Sequence, residues 1–416
     1  MKQIIIEGGR TLTGEVKISG AKNSAVALLP AALLTTEMVE IKNVPNISDI
    51  EAIKEILVYL GATIECEGHT IRIHSEELKN KAIGEYLAKK LRASYYFMGV
   101  LLGRYHHTEM SFPGGCPIGA RPIDLHLKGL EELGATIEVV GDEYLVDAEE
   151  LKGTDLYVKH SVGATINLLL ASVLAQGTTI IHDVALEPEV ENVVEMLQSM
   201  GAKIDGKGTD TLTIIGVEKL LGTSVTVIPD RIEAGTYMIL GALCGDHLKI
   251  TNIHEEHLTS LIDAFKIMGV DFKIQGNSMI VNKKDKLNPT NIKTEAYPGF
   301  PTDLQQPMTT LLLASTGTSK VEETVYENRF RHVPYLKDMG ANISVQDKVV
   351  QIKGPNSLRG TEVVATDLRA GACLVLAGLM ATGTTTIYEV DHILRGYEDL
   401  IQKLTLIGAK IKLIEI

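Results

Sequence analysis

One phrase returns six times along the chain: a short helical stretch ending in Leu or Met (Ile the last time), then Gly, then a β-like run. It reads LVYLGATIE at 57–65, LEELGATIE at 130–138, LQSMGAKID at 197–205, FKIMGVDFK at 265–273, LKDMGANIS at 336–344 and LTLIGAKIK at 404–412. The glycines are Gly61, Gly134, Gly201, Gly269, Gly340 and Gly408, spaced 73, 67, 68, 71 and 68 residues apart. A period this steady marks a duplicated structural unit, and Gly suits the left-handed position that closes a helix before a strand. A second landmark lies between these phrases. An apolar helix closes on Gly or a polar turn and leads into a Thr-, Ile- or Val-rich strand, as in LLLASVLAQGTTIIHDV from 168, LLLASTGTSKVEETV from 311 and CLVLAGLMATGTTTIYEV from 373. Each unit therefore reads strand, helix, strand, helix, strand, with room for one more strand. The alternation implies an α/β fold. A period of about 70 residues is too long for a solenoid, and six such units in 416 residues fit two domains of three.

Composition narrows the function. The net charge of −13, from 40 basic and 53 acidic residues, argues against a protein that neutralises nucleic-acid phosphates. Trp is absent and aromatics are 5%, which leaves little for base stacking. A small anionic ligand remains open, because it needs only a local basic pocket. No apolar run reaches membrane-spanning length, and MKQIIIEGGR has no signal-peptide pattern. Cys66, Cys116, Cys244 and Cys373 show neither metal spacing nor a disulfide framework. A reducing cytoplasm is the expected compartment. No metal and no cofactor are expected.

Each unit has one turn leading from a strand into its first apolar helix. The six read SGAKNSA (19–25), KKLRASY (89–95), KHSVGAT (159–165), PDRIEAGT (229–236), PGFPTDLQ (298–305) and TDLRAGA (366–372). Ser, Thr and Asp in such turns can serve simply as helix caps. Capping does not ask for Lys22, Arg92, Lys159, Arg231 and Arg369, since cations at helix N-termini oppose the helix dipole. Their recurrence points to a shared anion, which free N–H groups at helix starts would also favour. Equivalent turns in related units should lie at the same end of each domain, so two facing domains would line one cleft with all six. Asp303 and Asp367 are the acidic exceptions. Either could be a cap, and Asp367 could pair with Arg369; near bound anions, a carboxylate is otherwise useful only if it takes a proton during chemistry.

A further stretch, SFPGGCPIGARPIDLH at 111–126, has no helical or strand pattern around its cysteine. Gly114 and Gly115 suit a loop that opens and closes, and Cys116 would ride at its tip with Arg121 five residues on. The other three cysteines fall in strand or apolar helix patterns and are expected to be partly or wholly buried.

SGAKNSA, LRASYY, PGGCPIGARPIDLH, SVGATINLL, EPE, PDRIEAGT, PGFPTDLQQP, ENRF, ATDLRAGA and RGYE occur in this order from residue 19 to 398. Together they resemble the enolpyruvyl transferase family, in its branch acting on UDP-N-acetylglucosamine. LRASYY and PTDLQQPM look most like the second paralogue of some low-GC Gram-positive bacteria. The resemblance implies two inside-out α/β barrel domains, each of three similar units. It implies domains of 22–229 and of 1–21 plus 230–416, the first strand pairing into the C-terminal domain and the chain crossing near Ser19–Gly20 and near Pro229.

It also implies a reaction: phosphoenolpyruvate joins the 3′-hydroxyl of the nucleotide sugar by addition and elimination, and phosphate leaves. This would be the first committed step of peptidoglycan synthesis. The partners would be these two small molecules, with no nucleic acid and no membrane. By the same resemblance Cys116 donates the proton to carbon 3 and can carry a covalent adduct. A free thiol of pKa ~8.5 still holds a proton to give at neutral pH. Asp303 would take the hydroxyl proton. Lys22, Asn23, Arg121 and Arg395 would bind phosphoenolpyruvate. Asn23, Arg92, Arg121, Pro122, Ile123, Asp124, Leu125, Lys159, Ser161, Val162, Gly163, Asp303 and Val325 would bind the nucleotide sugar. Asp367, Arg369, Arg329, Arg231 and Glu233 would support the site, Asp367 and Arg369 within the catalytic set.

Two positions depart from the family's pattern: Pro117, often alanine, and Leu394, usually aspartate before the phosphate-binding arginine. A sister enzyme acting on 3-phosphoshikimate shares the architecture but lacks the loop cysteine. A regulatory paralogue with weak turnover has Leu394 as its only support. An RNA 3′-phosphate cyclase would need a nucleotidylated-histidine motif that is missing here.

Overall fold

The structure, a computed structural model, describes residues 2–114 and 123–415. They divide into two compact units. One holds the chain up to Ser19 and again from Pro229; the other runs between Gly20 and Ile228. Each unit has a hydrophobic core of its own. The two chain crossings are pinned within their own units. Asp230 N–H donates to Ser19 O (2.9 Å) in one, and Ala21 N–H donates to Ile228 O (2.7 Å) in the other.

Six small sheets carry the strands described, and five share one plan. Asp155–Tyr157 pairs parallel with Thr178–His182, which pairs antiparallel with Thr211–Ile215, which turns back on Lys203–Asp205. In the sixth, His107–Ser111, Glu143–Asp147 and Thr136–Val140 form three strands, and a parallel bridge from Ile83 to Met110 lies where a fourth would run. The common repeat is thus strand, helix, strand, helix and hairpin, the hairpin supplying the extra strand; in the last repeat the N-terminal strand Lys2–Glu7 stands in for the hairpin's second strand. Distant segments complete three sheets. Lys2–Glu7 lies between Thr384–Tyr388 and Lys410–Glu415, Leu12–Lys17 pairs with Gly245–Thr251, and Thr223–Thr226 pairs with Val39–Lys42.

Strands such as Thr211–Ile215 and Val349–Gly354 alternate buried and exposed residues, as a sheet with one wet face does. The helices after the six turns behave differently. Arg231–Cys244 is buried along its whole length, and Leu368–Met380 is buried from Arg369 to Leu379. A helix apolar on every side belongs in a core. In one unit Lys22–Ala31 packs on Tyr96–Tyr105, which packs on Val162–Ser172; in the other Arg231–Cys244, Gln305–Leu313 and Leu368–Met380 pack pairwise. Helices therefore fill each unit and sheets surround them. Full burial of a side chain such as Leu311 or Leu312 contributes ~2 kcal/mol.

The six repeat glycines all have positive φ, from 71° at Gly269 to 105° at Gly134. At each, the chain leaves its helix by the same pair of bonds. For example, Gly61 N–H donates to Val58 O (2.9 Å) and Ala62 N–H to Leu57 O (3.0 Å). A residue with a Cβ would cost roughly 1–2 kcal/mol there. No helix among the described residues is long and apolar enough to cross a membrane.

Candidate functional site

All six turns lead into the core helices, and they do so in matched order. The first and third turns of each unit pass directly into α-helix, at Lys22, Val162, Arg231 and Leu368. The middle turns first make a 3-10 turn, Arg92–Tyr95 and Thr302–Leu304.

In the unit spanning Gly20 to Ile228, Lys22 is the first helical residue, and its Nζ lies 2.8 Å from Asp49 Oδ2. The side chains are 15% and 7% exposed. A cation this buried needs a nearby carboxylate, and Asp49 supplies it from the first turn of Ser48–Tyr59. Asn23, next along, is exposed. The Arg92 guanidinium lies 6.0 Å from the centre of the Tyr95 ring, and that ring meets the His126 ring edge to face with centroids 4.6 Å apart. His126 Nδ1 is 3.0 Å from Asn167 Nδ2. Burial, with Arg92 adding to it, pushes His126 down to about 3, so the ring is neutral at working pH and its Nδ1 can accept from the amide.

Gly163 completes this column. A Cβ there would stand 2.7 Å from Tyr95 Oη and 3.0 Å from His126 Cε1, so the helix approaches this closely only with glycine. Ser161 caps the same helix by accepting from Ala164 N–H (3.3 Å), and Val162 opens it. Lys159 is exposed, with φ of 48°. Ile123 is buried, Asp124 begins the helix Asp124–Glu132 with its side chain outward, and Leu125 is half-buried against the core.

In the other unit, both oxygens of Asp303 are held by arginines. Oδ1 accepts from Arg329 Nη1 and Nη2 (2.9 Å each), and Oδ2 accepts from Arg369 Nε (3.2 Å) and Nη2 (3.0 Å). The arginine side chains are 4% and 3% exposed, and the carboxylate is 26% exposed. Burial opposes its charge, but Arg369 and Arg329 outweigh burial and hold the carboxyl well below the ordinary range. Asp303 makes no cap: it lies inside the 3-10 turn, after Pro301. Asp367 does cap, its Oδ1 accepting from Arg369 N–H and Ala370 N–H (3.0 Å each).

The first turn of this unit is also capped, Asp230 Oδ1 accepting from Ile232 and Glu233 N–H (2.8 and 2.9 Å). Arg231 lies 5.5 Å from the Tyr297 ring. Glu233 is buried, with Lys403 Nζ 2.6 Å from Oε1 and Ser19 N–H donating to Oε2 at 2.8 Å. Burial raises it to about 7, and Lys403 opposes without cancelling this. Arg395 follows the short helix Asp391–Leu394; it and Leu394 are half-buried. Two residues on, Tyr397 Oη is 2.9 Å from Thr236 Oγ1, and the Arg369 guanidinium sits 5.4 Å from its ring. Val325 is exposed.

Within their own units, Lys22 and Arg369 are therefore neutralised by protein carboxylates, Lys22 by Asp49 and Arg369 by Asp303, where the turn pattern pointed to a bound anion or, for Arg369, to Asp367. Asp49, Tyr95, His126 and Lys403 carry no mark in the sequence that separates them from ordinary helix residues; they matter through what they touch. Cys116, Arg121 and Pro122 lie outside the described residues. Cys244 and Cys373 are buried, and burial pushes their thiols up to about 11 and about 12. Cys66 is exposed, against expectation. Its strand, Thr63–Glu67, is the edge of its sheet, and the strand pattern does not distinguish an edge strand from a central one.

Residues 6–404 match the family described as EPSP synthase (3-phosphoshikimate 1-carboxyvinyltransferase). Over the full length of both chains the protein is 49% identical to UDP-N-acetylglucosamine 1-carboxyvinyltransferase 2 of Streptococcus mutans and 48% identical to UDP-N-acetylglucosamine 1-carboxyvinyltransferase 1 of Streptococcus agalactiae. Among solved structures it resembles the enolpyruvyl transferase NikO from Streptomyces tendae, with a TM-score of 0.92 and 28% identity over 99% of this chain and 98% of that one. EPSP synthase from Acinetobacter baumannii shares the fold at a TM-score of 0.77 and 19% identity, over the whole of both chains.

Proposed function

The chain belongs to the EPSP synthase family of enolpyruvyl transferases, and from that premise we infer that it transfers the enolpyruvyl group of phosphoenolpyruvate to the 3′-hydroxyl of UDP-N-acetylglucosamine and releases phosphate. This is the first committed step of peptidoglycan synthesis. The observation that carries the reading is the full-length identity of 49% to a transferase named for that reaction. Cytoplasmic residence fits the two substrates.

The chemistry divides into addition and elimination. A proton goes to carbon 3 of phosphoenolpyruvate, carbon 2 becomes cationic, and the sugar hydroxyl bonds to it and loses its proton. Carbon 3 then gives up a proton, the bond from carbon 2 to the phosphate oxygen breaks, and phosphate leaves. Cys116 is the proton donor in this reading. Lys22, Asn23, Arg121 and Arg395 hold phosphoenolpyruvate. Asn23, Arg92, residues 121–125, Lys159, Ser161 to Gly163, Asp303 and Val325 bind the nucleotide sugar.

Asp303 accepts the hydroxyl proton. A carboxylate held by two guanidiniums is a weak base toward a free alcohol. An alcohol bonding to a cationic carbon has a far more acidic proton, so a weak base suffices once attack is under way. The arginines keep Asp303 ionised and aimed until then. Asp367 serves this arrangement through the backbone of Arg369.

The deciding assay is phosphate release from phosphoenolpyruvate with UDP-N-acetylglucosamine or 3-phosphoshikimate as acceptor. Release with the first alone is expected. Release only with the second would move the chain to the sister activity, and nucleotide-sugar binding without release would mark a regulatory paralogue.

A further inference from the structure

Glu323 stands at the end of the strand Gly317–Glu322 and is 1% exposed. Four donors converge on its carboxylate. Oε1 accepts from Thr294 Oγ1 (2.9 Å), Val325 N–H (2.8 Å) and Tyr326 N–H (3.1 Å), and Oε2 accepts from Thr302 Oγ1 (2.8 Å). An ionised carboxylate only accepts, so it can serve all four at once. Thr302 Oγ1 in turn lies 2.8 Å from Arg329 Nη1.

The direction of this relay is fixed by chemistry. Arginine has donors and no acceptor. Arg329 must donate to Thr302, and the Thr302 hydrogen must then point at Glu323. Nη1 has two hydrogens, one for Thr302 and one for Asp303 Oδ1. A hydroxyl that gives its hydrogen to a carboxylate is a better acceptor for the arginine. Glu323 therefore sets the orientation of the guanidinium that grips Asp303.

We propose that Glu323 is a positioning residue for the transfer reaction: through Thr302 and Arg329 it holds the Asp303 carboxylate, and through two backbone amides it holds the segment bearing the nucleotide-sugar contact Val325. The proposal rests on the roles assigned above to Asp303 and Val325. It ties proton acceptance and sugar binding to one buried group, by two separable arms.

Two substitutions separate the arms. Glu323→Leu removes the acceptors of both arms and leaves an apolar side chain of similar length in the buried position. Thr302→Val removes the relay hydroxyl at nearly constant shape and leaves the bonds from Val325 and Tyr326 in place. The measurements are kcat, KM for each substrate, the calorimetric Kd of UDP-N-acetylglucosamine and thermal unfolding.

Glu323→Leu is expected to lower kcat about tenfold or more and to raise the nucleotide-sugar KM and Kd several-fold, with the phosphoenolpyruvate KM within about twofold. Thr302→Val is expected to reproduce the loss in kcat with the nucleotide-sugar KM and Kd unchanged. If Glu323→Leu does not fold, that split in Thr302→Val carries the test alone. Wild-type kcat in Thr302→Val, or a parallel loss of kcat and sugar affinity in it, would overturn the proposal while leaving the activity intact. A wild-type protein that releases no phosphate from the two substrates would instead overturn the activity, and this role with it.

Discussion

The tripeptide Thr-Asp-Leu occurs at 302–304 and at 366–368, each time where a strand hands over to a core helix of the same unit. At 366–368 the aspartate precedes the helix in an extended conformation, φ −162° and ψ 174°, and binds two backbone N–H groups. At 302–304 the tripeptide is itself a 3-10 turn, begun one residue after an extended Pro301, so the aspartate lies within the turn. Its carboxylate cannot cap the helix and faces Arg329 and Arg369 instead. One carboxylate is committed to backbone; the other is held by side chains that can rearrange. The second kind can exchange a proton or a partner during a reaction, which the first can do only by uncapping a helix. Asp230 repeats the capping solution in the remaining turn of the unit.

The largest expected effect that tests this contrast is on turnover. Asp303→Asn should lower kcat by at least ~10²-fold, the scale for losing a positioned base, with UDP-N-acetylglucosamine binding kept. Asp367→Asn should stay within a few-fold of wild type, because asparagine caps as well as aspartate. Equal losses in steady-state phosphate release would erase the distinction.

Stability should divide the same pair. Asp303→Asn leaves two buried guanidiniums without their carboxylate and should cost about 3 kcal/mol. Asp367→Asn should cost under about 0.5 kcal/mol. Urea unfolding of both variants gives the two numbers side by side.

A third measurement uses the buried carboxylate of the Arg231 turn. Glu233 is raised from an ordinary 4.5 to about 7 in the folded chain. Folded protein then binds its proton more tightly than unfolded protein does, so this group's contribution to stability is full below pH 4.5 and is lost as pH rises through about 7. Glu233→Gln should remove about 1–3 kcal/mol of that fall. The check is unfolding free energy at pH 5 and pH 7.5 for both proteins; an unchanged slope would show that Lys403 keeps Glu233 ionised throughout.

Asp367→Ala should cost about 1 kcal/mol from the lost cap, with a matching drop in Tm and turnover per folded molecule nearly kept. A far larger loss of turnover than of stability would give Asp367 a part in the chemistry.

Much of the molecule can be read from the chain. The six glycines, the strand and helix order and the six helix starts follow from local rules: a left-handed φ that only glycine takes easily, a periodicity set by backbone geometry, and apolar helices that must be interior. The candidate residues Lys22, Arg92 and Asp303 stand out because they recur in equivalent turns or break a capping pattern. The exposure of Cys66 was not legible, since an edge strand and a central strand share one alternation.

What the sequence alone determines here is whatever depends on neighbours a few residues apart: the sixfold repeat, the helix-closing glycines and the placing of special residues at helix starts. What only the tertiary structure decides is what each of those residues does. Arg329 and Arg369 lie 26 and 66 residues from Asp303 along the chain, and Asp49 reaches Lys22 from the next helix. Two copies of Thr-Asp-Leu have the same local preferences. They part because charge interactions and burial act through space, and the fold brings two guanidiniums to one copy and a helix N-terminus to the other.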